Sequence, residues 1–101
     1  MKYFIVEGTF TNPLPVAKEA MGKIISEHQQ FLQKGFDEGW MLFSGPKAKK
    51  DGGFAIVKAE TQHEVDGFFA NDPMLLAGVQ EYRITEFLKH DCQDMLDKWF
   101  E

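Results

Sequence analysis

Apolar and β-branched residues dominate residues 2–10 (KYFIVEGTF), with Phe4, Val6 and Phe10 on one side of an extended chain and Tyr3 and Ile5 on the other. A period of two in such a run predicts a first strand. The breaker-rich TNPLP of residues 11–15 ends it. From about Pro15 to Lys34 the period changes to three and four. Ala17, Met21, Ile24, Ile25, His28, Phe31, Leu32 and Gly35 fall on one stripe and predict a helix, with Gly35 and Gly39 marking its end and the turn beyond. Residues 40–44 (WMLFS) read as a short strand, apolar on both faces and stopped by Gly45-Pro46. A polar hairpin loop over 46–53 leads to a third strand at 54–60 (FAIVKAE).

Thr61 and Glu64 form a T-x-x-E capping box, which predicts a second helix with Val65, Phe68 and Phe69 as its apolar stripe. That helix must stop near Asp72, because Pro73 keeps its predecessor out of helical angles. Residues 74–78 (MLLAG) read as an apolar turn and 79–89 (VQEYRITEFLK) as a last strand. The tail from 91 to 101 predicts a short amphipathic helix through Met95, Leu96, Trp99 and Phe100.

The order β-α-β-β-α-β is the split βαβ, or ferredoxin-like, arrangement of an α+β domain. It spans residues 1–90, with 91–101 as an appended tail. Right-handed crossovers place both helices on one face of the sheet and leave the other bare. Strands one and two are apolar on both faces, and a bare apolar face of that size is unusual on a soluble monomer. A homodimer stacked through the sheet faces is therefore the expected assembly.

Composition narrows the field. At 101 residues the chain has room for one domain, and its 44% apolar content with ten Phe is ordinary for a globular core. A net charge of −5 argues against nucleic acid and anionic membrane as partners, since both need a basic footprint. No stretch approaches the ~20 apolar residues of a membrane span, and MKYFIVEGTF is interrupted too early by Glu7 to read as a signal peptide. A single cysteine, Cys92, excludes an internal disulfide and makes a reducing cytoplasm the expected location. With only His90 as a nearby basic residue, Cys92 reads as inert.

Several residues carry possible chemistry. His28 lies within the apolar stripe of the first helix. A histidine so placed is more often a core residue bonded to a backbone carbonyl, but histidine is also the side chain best suited to proton transfer near neutral pH. Asp72, before a proline, is a common turn device that accepts backbone N–H bonds. If the two meet, the carboxylate fixes the imidazole's tautomer, which is the logic of a general base and its orienter. Ser44, Gly45 and Pro46 end the second strand in what reads as a tight turn, where glycine would admit a ligand close to the backbone. Gly52-Gly53 most simply closes the hairpin. Lys47, Lys49 and Lys50 form either a solvated loop or a flap that attracts an anion. Glu7 and Glu86, if they face the bare side, would be buried in a dimer and need partners there; they read equally as edge or rim residues. His28, His63 and His90 are not at metal-ligand spacing, and no nucleophile elbow, phosphate loop or dinucleotide fingerprint is present.

Taken together, His28 with Phe31-Leu32, Gly39, Leu42, Ser44-Gly45-Pro46, Gly53, Ala59, Glu64, Asp72-Pro73, Gly78 and Ile84-Thr85-Glu86-Phe87 resemble the YciI-like (YCII-related) family over about residues 1–88. The resemblance implies a dimeric α+β barrel. It also implies an active-site His–Asp dyad, here His28 and Asp72. Characterised relatives include a dehydrochlorinating lyase of chlorinated hydroxyquinols, and the wider superfamily holds muconolactone isomerases and cofactor-free monooxygenases. The chain departs from the family where Met74 replaces the usual aromatic after Asp-Pro, and in its longer tail.

The expected function is thus a small cofactor-independent lyase or isomerase acting on an aromatic or anionic metabolite. His28 would be the acid/base, Asp72 its orienter, and Ser44, Gly45 and Pro46 would hold the substrate. The alternative is a non-catalytic binding or accessory domain in which His28 and Asp72 are a structural pair. A cofactor-free oxygenase has no positive sign in the residues.

Overall fold

The computed structural model describes residues 1–101. Strand β1 (Lys2–Phe10) is followed by a 3-10 turn at Lys18–Ala20, helix α1 (Met21–Asp37), strands β2 (Met41–Pro46) and β3 (Gly52–Ala59), helix α2 (Gln62–Phe69), a one-turn helix α3 (Pro73–Leu76), strand β4 (Gln80–Phe87) and a 3-10 turn at Asp94–Leu96. The four strands form one antiparallel sheet in the order β2-β3-β1-β4. This is the ferredoxin-like arrangement that the element order predicts, with the two inner strands contributed by β1 and β3.

The core lies between the sheet and the helices. Phe4 and Val6 of β1 and Ala55 and Val57 of β3 share one face, and pack with Leu32 of α1 and Val65 and Phe69 of α2. Register explains why: Phe4 pairs with Val57 and Val6 with Ala55, so the pleat sends all four to the same side. Thr61 caps α2 by accepting the Glu64 N–H at 3.3 Å, as the T-x-x-E pattern predicts.

Four details differ from the sequence reading. First, α1 starts six residues later than Pro15. Ala17 is still extended, with ψ 144°, so the stripe's first member lies outside the helix. Second, Gly35 does not end α1 but sits inside it and lets the helix approach Met41 and Trp40, where a Cβ would come within 3.0 Å of both. Third, Ser44, Gly45 and Pro46 are not a turn. They continue β2, pairing with Ala55, Phe54 and Gly53. An edge strand tolerates Pro46, whose missing N–H faces away from the ladder. Fourth, β3 begins at Gly52, which takes φ 155° directly against the Gly8 carbonyl, a place no side chain can occupy.

The tail forms a 3-10 turn rather than an amphipathic α-helix, and it docks on its own chain. Lys58 Nζ donates to the Trp99 carbonyl at 2.6 Å and lies 4.8 Å from the centre of the Trp99 ring. Trp99 Nε1 donates to the Gly39 carbonyl at 3.1 Å, and Phe100 packs edge-on against Tyr3. The tail therefore covers the Tyr3–Phe87 end of the sheet's helix-free face. The other end stays open, with Phe43 48% and Phe54 37% exposed and stacked on each other. Lys47 bonds Glu7 on that same face at 2.8 Å. Glu86 instead pairs with Phe4 across the ladder, on the helix side, and is exposed at the outer strand.

Candidate active site

Helix α1 carries His28 on its sheet-facing stripe, two turns into the helix. Asp72 follows α2 and caps α3, where Pro73 at the first helical position fixes the turn and Met74 N–H donates to Asp72 Oδ1 at 2.9 Å. The two side chains meet across the helix layer, with His28 Nδ1 at 2.9 Å from Asp72 Oδ1 and 2.8 Å from Oδ2. Asp72 is fully buried, whereas the His28 side chain keeps 17% of its surface open.

A third donor, not singled out from the sequence, completes the cluster. The Tyr82 hydroxyl donates to Asp72 Oδ2, and Gln80 Nε2 in turn donates to the Tyr82 oxygen at 2.9 Å. The only signal in the sequence was alternation: Gln80, Tyr82 and Ile84 share the helix-side face of β4. Three N–H or O–H groups thus converge on one carboxylate. Because a carboxylate only accepts, His28 Nδ1 carries a proton, and in the neutral ring Nε2 is left with a free lone pair.

Burial, and then the Asp72 carboxylate it bonds, hold the Tyr82 phenol far above its ordinary value of 10.0. The folded chain keeps a proton there that the unfolded chain releases above about pH 10, so this contribution to stability is full below that pH and fades as pH rises past it. Urea melts at about pH 8 and pH 11 are expected to show a larger alkaline loss for the wild type than for Tyr82→Phe. Equal losses would show that Tyr82 is not so held.

His28, Gln80 and Tyr82 line one side of a cavity of about 360 Å³, and Ser44, Gly45 and Pro46 line another. Its volume falls in the range of small-molecule sites. Val6, Leu32, Phe69 and Met74 supply apolar wall. No lysine, arginine, aspartate or glutamate lines it. Lys47 is turned away, bonded to Glu7 and to Thr9 Oγ1 at 3.0 Å. Lys49 and Lys50 are exposed on the loop, so the structure does not bring the basic cluster to the cavity. Partial burial and the Asp97 carboxylate, 3.4 Å from its sulfur, push the Cys92 thiol up and away from reactivity. No cluster of three or more His, Cys, Asp or Glu side chains converges as a metal site, and no helix is long and apolar enough to cross a membrane.

A four-stranded antiparallel sheet of ferredoxin-like order, with a cavity between its helix layer and the β2–β3 edge, defines an α+β chain of the ferredoxin-like class. The chain belongs to the YCII-related family, whose domain matches residues 1–88. In structure it is similar to 5-chloro-2-hydroxyhydroquinone dehydrochlorinase from Burkholderia phenoliruptrix AC1100, solved in complex with 2,5-dihydroxybenzoquinone. The TM-score is 0.68 at 23% identity, over 88% of this chain and 95% of that one. It is similar also to muconolactone isomerase (TM-score 0.68, 12% identity, 91% and 94% covered) and to an antibiotic biosynthesis monooxygenase (0.56, 13%, 88% and 99%). At these identities the likeness shows the fold. No curated protein matches the chain in sequence.

Proposed function

We propose that the chain is a cofactor-independent enzyme of lyase or isomerase type that acts on a small ring metabolite, with His28 as general acid/base and Asp72 as the group that orients it. One observation carries this reading: His28 is pinned through Nδ1 by a fully buried carboxylate while its ring lines an open cavity and Nε2 has no partner in the chain. A purely structural pair has no need of the opening. The same wiring would let Nε2 take a proton from a substrate carbon or hydroxyl and return it to a leaving group or a neighbouring carbon. Ser44, Gly45 and Pro46 would bound the substrate from β2. The named activities of the dehydrochlorinase and the isomerase fit this class.

The test is turnover of chlorinated hydroxyquinols and unsaturated lactones by the wild type and by His28→Asn. Loss of turnover in the variant with its fold intact is expected; full activity in His28→Asn would sink the mechanism.

The assembly belongs to the same proposal. The open apolar end of the helix-free face would be covered by a second copy, which gives a soluble cytoplasmic homodimer. Light scattering is expected to return twice the 11.6 kDa chain mass for the wild type and a single chain for Phe43→Asp. A wild-type mass of one chain would overturn it.

A further inference from the structure

Gln80 is 2% exposed and lines the cavity, yet only half of its amide is bonded within the chain. Nε2 is held by Tyr82. Oε1 has no partner, and it is not among any sealed, unsatisfied atoms, of which the chain has none. The direction of the amide follows from the network rather than from chance. Tyr82 has one hydroxyl proton, and it goes to Asp72. The Tyr82 oxygen can then only accept, so the end of the Gln80 amide facing it must be the NH₂, and the carbonyl oxygen points the other way. Asp72 therefore orients two cavity groups at once: His28 directly and Gln80 through Tyr82.

The strand beneath is shaped to allow this. Gly8 pairs with Tyr82 across the ladder, and a Cβ at position 8 would lie 2.6 Å from both Cδ and Nε2 of Gln80. The amide lies flat over a position that has no side chain.

We propose that Gln80 is a specificity-determining residue whose Oε1 accepts a hydrogen bond from a hydroxyl of a neutral ring ligand. The inference rests on the reading of this cavity as the substrate site and names the ligand chemistry that the site selects. His28 Nε2 and Gln80 Oε1 both present acceptors. No lysine or arginine of this chain lines the cavity to hold a carboxylate or phosphate. Gln29 and Ser44 are the other polar side chains on a mainly apolar lining, so two acceptors held in place by the Asp72 network fit a hydroxylated ring better than an anion. A buried acceptor that a ligand leaves unpaired discriminates strongly against that ligand.

The experiment is equilibrium binding of catechol, resorcinol and hydroquinone to the full chain, each compared with the difluorobenzene of the same substitution pattern. Fluorine approximates the hydroxyl in size but cannot donate. For the tightest diol, the ratio of the two dissociation constants is expected to fall about tenfold in Gln80→Met. Gly8→Ala keeps every polar group but displaces the amide, and is expected to lower the ratio similarly with an unchanged circular dichroism spectrum. An unchanged ratio in both variants overturns the proposal, as does a wild type that binds none of the diols saturably. Because binding needs no turnover, the outcome is separable from the acid/base reading. A ratio that collapses in Gln80→Met while His28→Asn stays fully active would remove the catalytic role of His28 and leave this inference standing.

Discussion

Asp72→Ala is expected to lower the unfolding free energy by about 3–5 kcal/mol, measured by chemical denaturation. The carboxylate has no solvent exposure and is the shared acceptor of His28 Nδ1, Met74 N–H and the Tyr82 hydroxyl. Removing it leaves three donors without this partner, the Met74 N–H buried and the other two half-buried, and each orphan that water does not reach costs about 1–3 kcal/mol. It also removes the cap of α3. Asp72→Asn separates the effects. Its carbonyl oxygen can still accept from Met74, so the stability loss is expected to be smaller. But its NH₂ would face His28 and Tyr82 as a donor, which reverses the imidazole tautomer and places the proton on Nε2. Activity is then expected to fall nearly as far as in the alanine variant. A loss of stability below about 1 kcal/mol in Asp72→Ala would mean that the carboxylate does not hold this cluster together.

For His28→Asn the expected result is the opposite pairing: kcat lower by about 10²–10⁴ with the melting temperature little changed. The asparagine amide nitrogen falls close to the place of Nδ1 and can still donate to Asp72, while nothing replaces Nε2 in the cavity. The residue also keeps part of its surface open, so truncation leaves no sealed void. This variant is the one that separates the two functional readings. Asp72 cannot do so, because a buried carboxylate shared by three donors is structurally costly to remove whether or not the chain is an enzyme. If His28→Asn melts far below the wild type while still binding ring ligands as before, the pair is structural and the chain a binding or accessory domain.

The candidate site was half legible from residue types and spacing. His28 stood out as a polar interruption of an apolar stripe, and Asp72 as a carboxylate fixed ahead of a proline. The resemblance to the family joined them. Tyr82 and Gln80 are not legible in the same way, because a tyrosine and a glutamine on an alternating strand look the same whether they meet solvent or a buried carboxylate. The basic loop misled in the other direction. Lys47, Lys49 and Lys50 are close in sequence to the glycines at the cavity, but Lys47 is bonded to Glu7 on the helix-free face of the sheet.

What the sequence determined by itself is the order of elements and the face each one buries, because periods of two and of three to four are local properties of a chain. It also determined that the sheet has a second apolar side, through Tyr3, Ile5 and the aromatic second strand. Its boundaries shifted wherever tertiary contact outweighed local signal. Gly35 reads as a helix end, yet it is the point where α1 presses on Met41 and Trp40. Gly45-Pro46 reads as a stop, yet the ladder to Gly53 and Phe54 carries the strand through it. Only the folded chain decided that His28 and Asp72, 44 residues apart, come within 2.8 Å. Only the folded chain decided that the tail lies on Tyr3 and Lys58. Both depend on how helices and tail pack on the sheet, which is set by the summed fit of many side chains and not by any short stretch.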